Sequence, residues 1–375
     1  MNLLMVSGDA SPTQGRRGAF LAMLEEFSQY WDRVDVIAPT ASGAKPVEIL
    51  GNVHFWPSQR ERLSQIGHIL STGGRLARER HYALIASHDY GFFFNGIGSA
   101  LLSRQTRIPY VSEIHHVEGH PRAATFGEAL RRRVAEVYLR WARDRAIAFR
   151  VVNETELPEL LIASGIRRAK IRVLHSLYLD FNVLRPAPTA APREYDALFA
   201  GRLAPNKGLF LFVGALAQVR RKRGSVRAAI VGDGPLKGAL LRRIESFGLN
   251  DAIVWPGWQA TPDDLAELYR RSRCLVCASY SEGGPRVVVE ALACGTPVIS
   301  TPVGMAREIV RDGENGFLFD WSADELAGRL LQLLADEDLR CSLGAAGPES
   351  VARFEKKKVI REYAMAYQQL ARRAA

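Results

Sequence analysis

The sequence predicts an α/β protein with two doubly wound domains that face each other across a cleft. Strand-like and helix-like stretches alternate along both halves, which is typical of parallel sheets covered by helices on both faces. At 375 residues the chain is also too long for one ordinary core, and a segment with three prolines interrupts the alternation near its middle. We therefore expect a first domain at 1–184, a linker at 185–193, a second domain at 194–348, and a C-terminal helix within 349–375 that packs back toward the first domain.

The candidate strands are short apolar runs, most of them followed by a turn or by a run of helical period. In the first half they cover residues 3–7, 34–38, 53–56, 83–87, 110–114, 149–152 and 171–174, with helical runs at 20–30, 66–78 and 126–146. In the second half they lie within the stretches DALFAGRL, RAAIVGDG, AIVWPG, CLVCAS, PVIST and GFLF.

Composition limits the possible classes of protein. Hydrophobic residues make up 47% of the chain and charged residues 24%, which is the balance of a folded enzyme. No apolar run approaches the roughly 18 residues that span a bilayer, and the apolar start MNLLMVSGD is too short for a signal peptide. We therefore expect a cytoplasmic protein. Cys274 and Cys277 form a CxxC within a strand-like run, where they point to opposite faces, so we interpret them as buried apolar side chains.

The net charge of +10 favours an anionic partner. Nucleic acid is not expected, because zinc-finger spacing and RNP-type aromatic motifs are lacking and no Lys/Arg tract exceeds four residues. The helical run 129–149 interleaves six arginines with apolar and aromatic residues, which suits peripheral contact with an anionic membrane at its cytoplasmic face. An ordinary helix with one solvated basic face explains the same pattern.

The strongest chemical motif is SYSEGGPRVVVEALACGTPVIST, residues 279–301. An apolar strand runs into a turn at Gly283 and Gly284, and Pro285 suits the first position of the helix that follows. The free N–H groups of such a turn and helix start carry partial positive charge. They would suit a diphosphate.

Glu290 is the one carboxylate in this otherwise apolar helix, and a buried carboxylate needs a partner. Arg286, four residues earlier, could pair with it. The vicinal hydroxyls of a ribose are the alternative partner. Glu282, at the end of the strand, would face whatever the diphosphate carries.

Two cations, Arg202 and Lys207, lie in the loop AGRLAPNKG between a strand and a helical run. Cations near a helix N-terminus oppose its dipole, so an anion between them would compensate. A guanidinium and an ammonium together would clamp a pyrophosphate. Simple solvation remains the alternative, since the chain has 50 basic residues. The stretch VGDGPLKG at 231–238 lacks the spacing of a dinucleotide fingerprint or a P-loop and is interpreted as tight backbone at the cleft.

Taken in order, these segments resemble the donor domain of the retaining GT-B glycosyltransferases of family 4, the glycosyl transferases group 1. The matching positions are two glutamates eight apart, Glu282 and Glu290, the pair Arg202 and Lys207, the GDGP motif at 232–235, and PGW at 256–258. The resemblance implies two Rossmann-like domains, with the acceptor on the N-terminal one and the nucleotide sugar on the C-terminal one.

The resemblance also implies a role for each matched residue. Glu290 would hold the ribose, the two cations the diphosphate, and Glu282 with the amides of Gly283 and Gly284 the sugar. The implied donor-binding set is Arg202, Lys207, Gly232, Gly257, Glu282, Gly283, Gly284, Pro285, Arg286 and Glu290. Family members retain the anomeric configuration and stabilise the departing diphosphate electrostatically, so transfer without a metal is implied.

In the first half, family members carry a histidine just past the strand of PYVSEIHHVEGHPR, beside the transferred sugar. His115 falls there, so the implied catalytic residues are His115, Glu282, Arg202 and Lys207. A structural role for the histidines of this loop stays open, and a metal site is not expected because the order HExxH is lacking. Acceptor-side candidates are Gly15, Arg16 and His116, although TQGRRG replaces the paired glycines that the family carries in its first loop.

The resulting hypothesis is a metal-independent retaining hexosyltransferase without a cofactor. Its donor is a nucleotide-diphosphate sugar, with a UDP-sugar favoured over a GDP-sugar. Its acceptor is a saccharide or a lipid-linked saccharide of envelope or exopolysaccharide assembly. A nucleotide-sugar epimerase of related fold, or a catalytically silent GT-B scaffold, is the alternative.

Overall fold

The computed structural model describes residues 1–16, 18–40, 45–58, 64–187, 192–257, 259 and 261–374. The chain forms two compact units, one from residues 1–117, 130–178 and 356–375, and one from residues 118–129 and 179–355. Each unit is built on a sheet of parallel strands, which confirms the predicted fold class. Part of the predicted linker, 188–191, lies outside the described residues, so the predicted domain limits stay predictions. Residues 118–129 and 179–184 lie in the second unit, although the sequence assigned them to the first domain.

The first unit contains an eight-stranded sheet. Its strands are β1 (Asn2–Val6), β2 (Arg33–Ala38), β3 (Val47–Ile49), β4 (Val53–Pro57), β5 (Leu84–His88), β6 (Tyr110–Ile114), β7 (Ala148–Val151) and β8 (Ile171–Val173). The order is β3-β4-β2-β1-β5-β6-β7-β8, and only β3 runs antiparallel to its neighbour. Each predicted strand of this half is present within one residue. The short, largely exposed edge strand β3 was missed because it lacks an apolar run.

The second unit contains a six-stranded parallel sheet. Its strands are β9 (Ala197–Ala200), β10 (Ala228–Val231), β11 (Ile253–Val254), β12 (Leu275–Cys277), β13 (Val298–Ser300) and β14 (Gly316–Leu318). The order is β11-β10-β9-β12-β13-β14, so the direction of strand addition reverses between β9 and β12. All six lie in the predicted apolar runs.

Most helices lie between strands in chain order, and the last three follow β14. The helices are α1 (Ala19–Phe27), α2 (Gln65–Glu79), α3 (Phe94–Thr106), α4 (Phe126–Ala142), α5 (Glu156–Ala163), α6 (Leu209–Arg223), α7 (Lys237–Ser246), α8 (Pro262–Arg270), α9 (Arg286–Ala293), α10 (Ala306–Ile309), α11 (Ala323–Ala335), α12 (Glu337–Val351) and α13 (Lys356–Ala374). None of the described helices has both the length and the apolarity that a bilayer crossing requires.

Apolar side chains from sheet and helices fill the core of each unit. In the second unit Phe199 of β9, Phe212 of α6 and Leu330 of α11 belong to one buried cluster. Each such side chain contributes roughly 1.5–3 kcal/mol to stability. Cys274 and Cys277 are buried as predicted, and burial raises the pKa of Cys274 to about 12, so it remains a thiol. The helix α13 packs within the first unit, where the rings of Tyr363 and Phe27 stack with their centroids 4.5 Å apart.

Candidate active site

The strand order of the second unit brings two motif-bearing loops together. Because the sheet reverses between β9 and β12, the loops that follow these strands are neighbours at the carboxyl edge of the sheet. In open α/β sheets this edge, at the reversal point, is where ligands bind. Arg202 and Lys207 lie after β9, whereas Glu282, Gly283 and Gly284 lie after β12. The topology therefore accounts for the meeting of two segments that are distant in sequence.

Glycines allow these loops to approach backbone to backbone. A Cβ atom on Gly208, whose φ is +65°, would lie 1.9 Å from the carbonyl oxygen of Ala278. A Cβ atom on Gly232, whose φ is +142°, would lie 1.9 Å from the carbonyl oxygen of Gly201. No side chain fits at either distance, and both φ values favour glycine. The stretch around Gly232 is therefore tight backbone at the sheet edge, and its predicted position at a cleft stays a prediction.

A salt bridge joins the two loops. The Nζ atom of Lys207 donates to Oε1 of Glu282, and the hydroxyl of Ser279 donates to the same oxygen at 3.0 Å. The backbone N–H of Tyr280 adds a bond to the carbonyl of Asn206 at 2.7 Å. The side chains of Lys207 and Glu282 remain 23% and 15% exposed, so both still reach solvent. The sequence had assigned each of these two residues an external ligand, and their mutual contact was not foreseen.

Arg202 differs from Lys207, which pairs with Glu282. It is exposed, and its side chain makes no hydrogen bond or ion pair within the part of the chain that the structure describes. An anion can therefore bind this guanidinium without displacing a protein partner.

The turn after β12 is held in place by Met305, which lies in the loop after β13. The backbone N–H of Met305 donates to the carbonyl of Gly283 at 3.2 Å. A Cβ atom on Gly284 would lie 2.9 Å from the Met305 sulfur. Pro285 precedes α9 rather than being its first residue, which corrects the prediction by one position. The first N–H groups of α9, from Arg286 onward, therefore follow directly on this turn.

Glu290 is 7% exposed and has two protein partners. Arg286 donates its Nε–H to Oε1 at 2.7 Å, so the i,i+4 pair that the sequence allowed is formed. The hydroxyl of Tyr269, on α8, donates to Oε2 at 2.8 Å. Burial together with Glu290 holds the pKa of Tyr269 well above its usual value, so it remains a donor. A carboxylate offers about four lone-pair sites, so Glu290 can still accept further hydroxyl groups.

The sequence analysis did not identify Tyr269 as a partner of Glu290, although one general rule points to such a residue. A buried tyrosine hydroxyl nearly always finds a partner. Tyr269 lies on α8 and Glu290 lies on α9, 21 residues later. The spacing in the sequence alone therefore does not show that the two side chains are in contact.

Gly257 follows β11, the edge strand that lies two places from β9 in the sheet. Gly257 has a φ of +83° in the loop after the edge strand β11. The Gln259 side chain donates to its carbonyl at 3.2 Å. Trp258 lies outside the described residues, so the predicted stacking position for a base stays a prediction.

In the first unit, His115 follows β6 and contacts a buried carboxylate. Its Nε2 atom lies 3.2 Å from Oε2 of Glu113, and Nε2 of His88 lies 2.9 Å from the same oxygen. Burial lowers the pKa of His115, so its ring is neutral at neutral pH. The sequence did not single out Glu113. The signal was present, because Glu113 is the only charged residue of the buried strand YVSEI.

The acceptor-side candidates lie in two different loops at the carboxyl edge of this sheet. Gly15, with a φ of +69°, and the exposed Arg16 lie in the loop after β1, whereas His116 follows β6. The strand β5 separates β1 from β6. Within the described ranges, no group of three or more His, Cys, Asp or Glu side chains is placed to hold a metal ion.

Two family models match the chain. The model described as glycosyl transferases group 1 matches residues 180–350, and the glycosyl transferase 4-like domain matches residues 19–176. Among curated relatives, the D-inositol 3-phosphate glycosyltransferase of Segniliparus rotundus is 28% identical over 291 residues, which are 73% of this chain and 63% of the relative. The enzyme of the same name from Streptomyces bingchenggensis is 30% identical over 300 residues, 74% of this chain and 64% of the relative. The matches thus span less than two thirds of these relatives.

Solved structures share the fold over nearly the whole chain. Sucrose-phosphate synthase from Thermosynechococcus elongatus superposes with a TM-score of 0.81 at 20% identity, covering 98% of both chains. Anabaena Alr3699/HepE in complex with UDP and glucose superposes with a TM-score of 0.75 at 21% identity, covering 98% of this chain and 100% of that one.

Proposed function

The chain belongs to the glycosyl transferases group 1 family, whose GT-B fold it has, and on that premise we propose that it is a retaining glycosyltransferase. It moves a hexose from a nucleotide-diphosphate sugar to a saccharide or lipid-linked acceptor, and the acceptor belongs to envelope or exopolysaccharide assembly. The observation that carries this proposal is the Lys207–Glu282 pair at the reversal point of the second sheet, next to the turn that leads into Glu290.

The proposed mechanism uses charge rather than a bound metal. Arg202 and Lys207 neutralise the diphosphate, together with the N–H groups at the start of α9. As the bond between the anomeric carbon and the phosphate oxygen breaks, negative charge grows on that oxygen and these donors stabilise it. The leaving oxygen then takes the proton of the acceptor hydroxyl, whose oxygen bonds to the anomeric carbon from the same face. Glu282 holds the sugar, and Glu290 holds the ribose.

A uridine donor is favoured by the solved relatives. The HepE structures contain UDP with glucose, and UDP-glucose. We therefore propose a UDP-hexose before a GDP-hexose. The exposed Arg16 after β1 would lie on the acceptor side and suits an anionic acceptor.

The first prediction concerns ligand binding. UDP and UDP-hexoses are expected to raise the Tm, because a ligand that binds only the folded state at 100 times its Kd adds about 2.7 kcal/mol of stability. A thermal-shift panel of UDP, GDP and ADP with their common sugars measures this, and the UDP series is expected to give the largest shifts.

The same panel in EDTA tests metal independence, and the shifts are expected to be unchanged. Nucleotide release should then require an added saccharide acceptor, whereas an epimerase would release nucleotide without one. The proposal fails if no nucleotide sugar shifts the Tm and no acceptor provokes release.

Exposed apolar side chains on α4 support the proposed peripheral contact with a membrane. Phe126, Leu130 and Val137 are 87%, 57% and 63% exposed. The exposed Arg133 and Arg140 continue the same i, i+4, i+7 stripe. An ordinary solvated helix explains the arginines but not the exposed phenylalanine among them. Apolar side chains between basic ones on one face fit a helix lying on anionic lipid.

The second prediction follows from this stripe. The protein is expected to sediment with vesicles of equal parts phosphatidylcholine and phosphatidylglycerol, and far less with phosphatidylcholine alone. Replacing Phe126, Leu130 and Val137 by serine is expected to weaken this binding about tenfold or more, because three apolar side chains lose their burial in lipid. Salt is expected to weaken it as well.

A matched control replaces three exposed apolar residues off the stripe, Ile162, Leu241 and Phe247, by serine. This variant is expected to bind as the unchanged protein does. Equal loss in both triple variants, or equal binding to neutral and anionic vesicles, would reject the membrane contact.

A further inference from the structure

Three polar residues stand side by side at the ends of the central strands of the first unit. The parallel register pairs His88 of β5 with Glu113 of β6, and Glu113 with Arg150 of β7. Paired residues of neighbouring strands project to the same face of a sheet. The topology therefore places one carboxylate between two basic side chains at the carboxyl edge, directly before the loop that carries His115.

One oxygen of Glu113 is committed to structural partners. Its carboxylate is fully buried, and Oε1 accepts from the hydroxyl of Tyr363 at 2.7 Å and from that of Tyr367. Arg150 places Nη1 3.3 Å from the same oxygen. The two tyrosines are four residues apart, so they extend from one face of α13. The C-terminal helix thus fixes the carboxylate in place.

The other oxygen faces the histidines. Oε2 lies 2.9 Å from Nε2 of His88 and 3.2 Å from Nε2 of His115. These contacts are close but bent, so neither Oε2 nor Nε2 of His115 has a hydrogen-bond partner of good geometry within the described residues. Such contacts commonly tighten when a substrate binds.

The charge state of Glu113 determines where the histidine protons are. Burial alone would raise the pKa of Glu113, but His88, Arg150 and His115 together hold it well below its usual value. An ionised carboxylate can only accept. At 3.2 Å an unprotonated Nε2 of His115 would set its lone pair against that of Oε2, which favours the tautomer with hydrogen on Nε2.

The other nitrogen of His115 is then an acceptor. Burial lowers the pKa of His115; Arg150 and His88 act in the same direction, and Glu113 opposes them. The ring is therefore neutral at neutral pH, and with hydrogen on Nε2 its Nδ1 bears a lone pair. No described residue bonds to Nδ1, and the side chain is 38% exposed.

We propose that Glu113 is a positioning residue that holds His115 with its proton on Nε2, so that Nδ1 accepts a hydrogen bond from a hydroxyl of the sugar substrate. The part of this inference that concerns substrate rests on the proposed function. The ionisable groups that act on His115 are Glu113 of β6, His88 of β5 and Arg150 of β7, whereas Tyr363 and Tyr367 of α13 contact Glu113.

A titration of the histidine rings by ¹⁵N NMR tests the positioning without any substrate. In the unchanged protein His115 is expected to hold its proton on Nε2. Glu113→Gln is expected to lower the pKa of His115 by about 1–3 units, because a nearby opposite charge is lost. An unchanged pKa and tautomer of His115 in this variant would overturn the proposal.

The chain offers a matched control in the same sheet. Asp35 of β2 is a buried carboxylate that accepts from Arg33 at 2.6 Å, Tyr82 at 2.7 Å and Trp56 at 2.8 Å. Asp35→Asn removes a buried charge of the same kind far along the sheet from β6. It is expected to lower the Tm but to leave the pKa of His115 unchanged.

A second variant covers the case in which Glu113→Gln does not fold. The substitution leaves Arg150 buried beside a neutral side chain, which is costly. The double variant Glu113→Gln/Arg150→Met removes both charges together, and the same titration applies to it. His115 is again expected to lose its fixed tautomer, and a retained fixed tautomer would count against the proposal.

Activity provides an independent readout. Glu113→Gln is expected to lower kcat roughly 10–100-fold with a smaller change in the donor KM, as when the partner that orients a histidine is removed. Asp35→Asn is expected to keep the kcat of the unchanged protein. If no protein shows transfer, the proposed function fails, and the NMR titration still decides whether Glu113 fixes His115. Equal losses of kcat in both variants would assign Glu113 a purely structural role.

Discussion

Replacing Lys207 by alanine is expected to lower kcat about 10²–10³-fold. One donor aimed at the charge that develops in a transition state is commonly worth about 3–4 kcal/mol. In the proposed mechanism Lys207 faces the leaving diphosphate, where negative charge increases as the sugar departs. Initial rates of UDP release with saturating donor and acceptor measure the effect.

The fold should tolerate this change. The Lys207–Glu282 pair is partly exposed, and such pairs contribute about 0–1 kcal/mol. Glu282 also keeps its bond from Ser279 at 3.0 Å. The Tm is therefore expected to move by only a few degrees, so a large loss of kcat would reflect chemistry rather than unfolding.

Arg220→Ala is the matched control for Lys207→Ala. Arg220 lies at the far end of α6, the helix that begins just after Lys207, and pairs with Asp251 at 2.5 Å. Its removal deletes one cation and one exposed ion pair away from the sheet edge. It is expected to keep full activity. Unchanged turnover in Lys207→Ala, or an equal loss in both variants, contradicts the proposed site.

The fold was largely predictable because it depends on local patterns. Buried parallel strands are short apolar runs, and these runs located β1 and β6 within one residue. The edge strand β3 was missed because its side chains are mostly exposed, so its sequence carries no apolar pattern. Strand order was not predicted, since a periodic pattern does not state which strands are neighbours.

The candidate site could be proposed from the sequence because short motifs carry its residues, but contacts between distant segments could not be predicted. Glu282 and Glu290 stand in one continuous segment, so their spacing could be recognised. Glu113 and Tyr363 are 250 residues apart, and their hydrogen bond exists only because α13 packs on the first sheet. The reasoning that drew attention to Glu290, a single carboxylate among apolar residues, applies equally to Glu113.

Replacing Glu290 by glutamine is expected to remove recognition of the ribose while preserving the fold. Alanine is a poorer test than glutamine, because it would leave the buried hydroxyl of Tyr269 without an acceptor at a cost of about 1–3 kcal/mol. The contact with Tyr269 therefore makes glutamine the better replacement for Glu290 in this experiment. Glutamine keeps the volume and one acceptor oxygen, but it loses the charge that Arg286 pairs with.

The measurement compares UDP with 2′,3′-dideoxy-UDP by calorimetry. A hydrogen bond to a charged group contributes about 1.5–3 kcal/mol, so the unchanged protein is expected to bind UDP roughly 10–100-fold more tightly. Glu290→Gln is expected to bind both nucleotides with similar, weakened affinity. This comparison isolates the ribose hydroxyls, because any general disturbance of the pocket weakens both ligands alike. Full discrimination in Glu290→Gln would mean that the ribose is held elsewhere and that Glu290 serves only Tyr269 and Arg286.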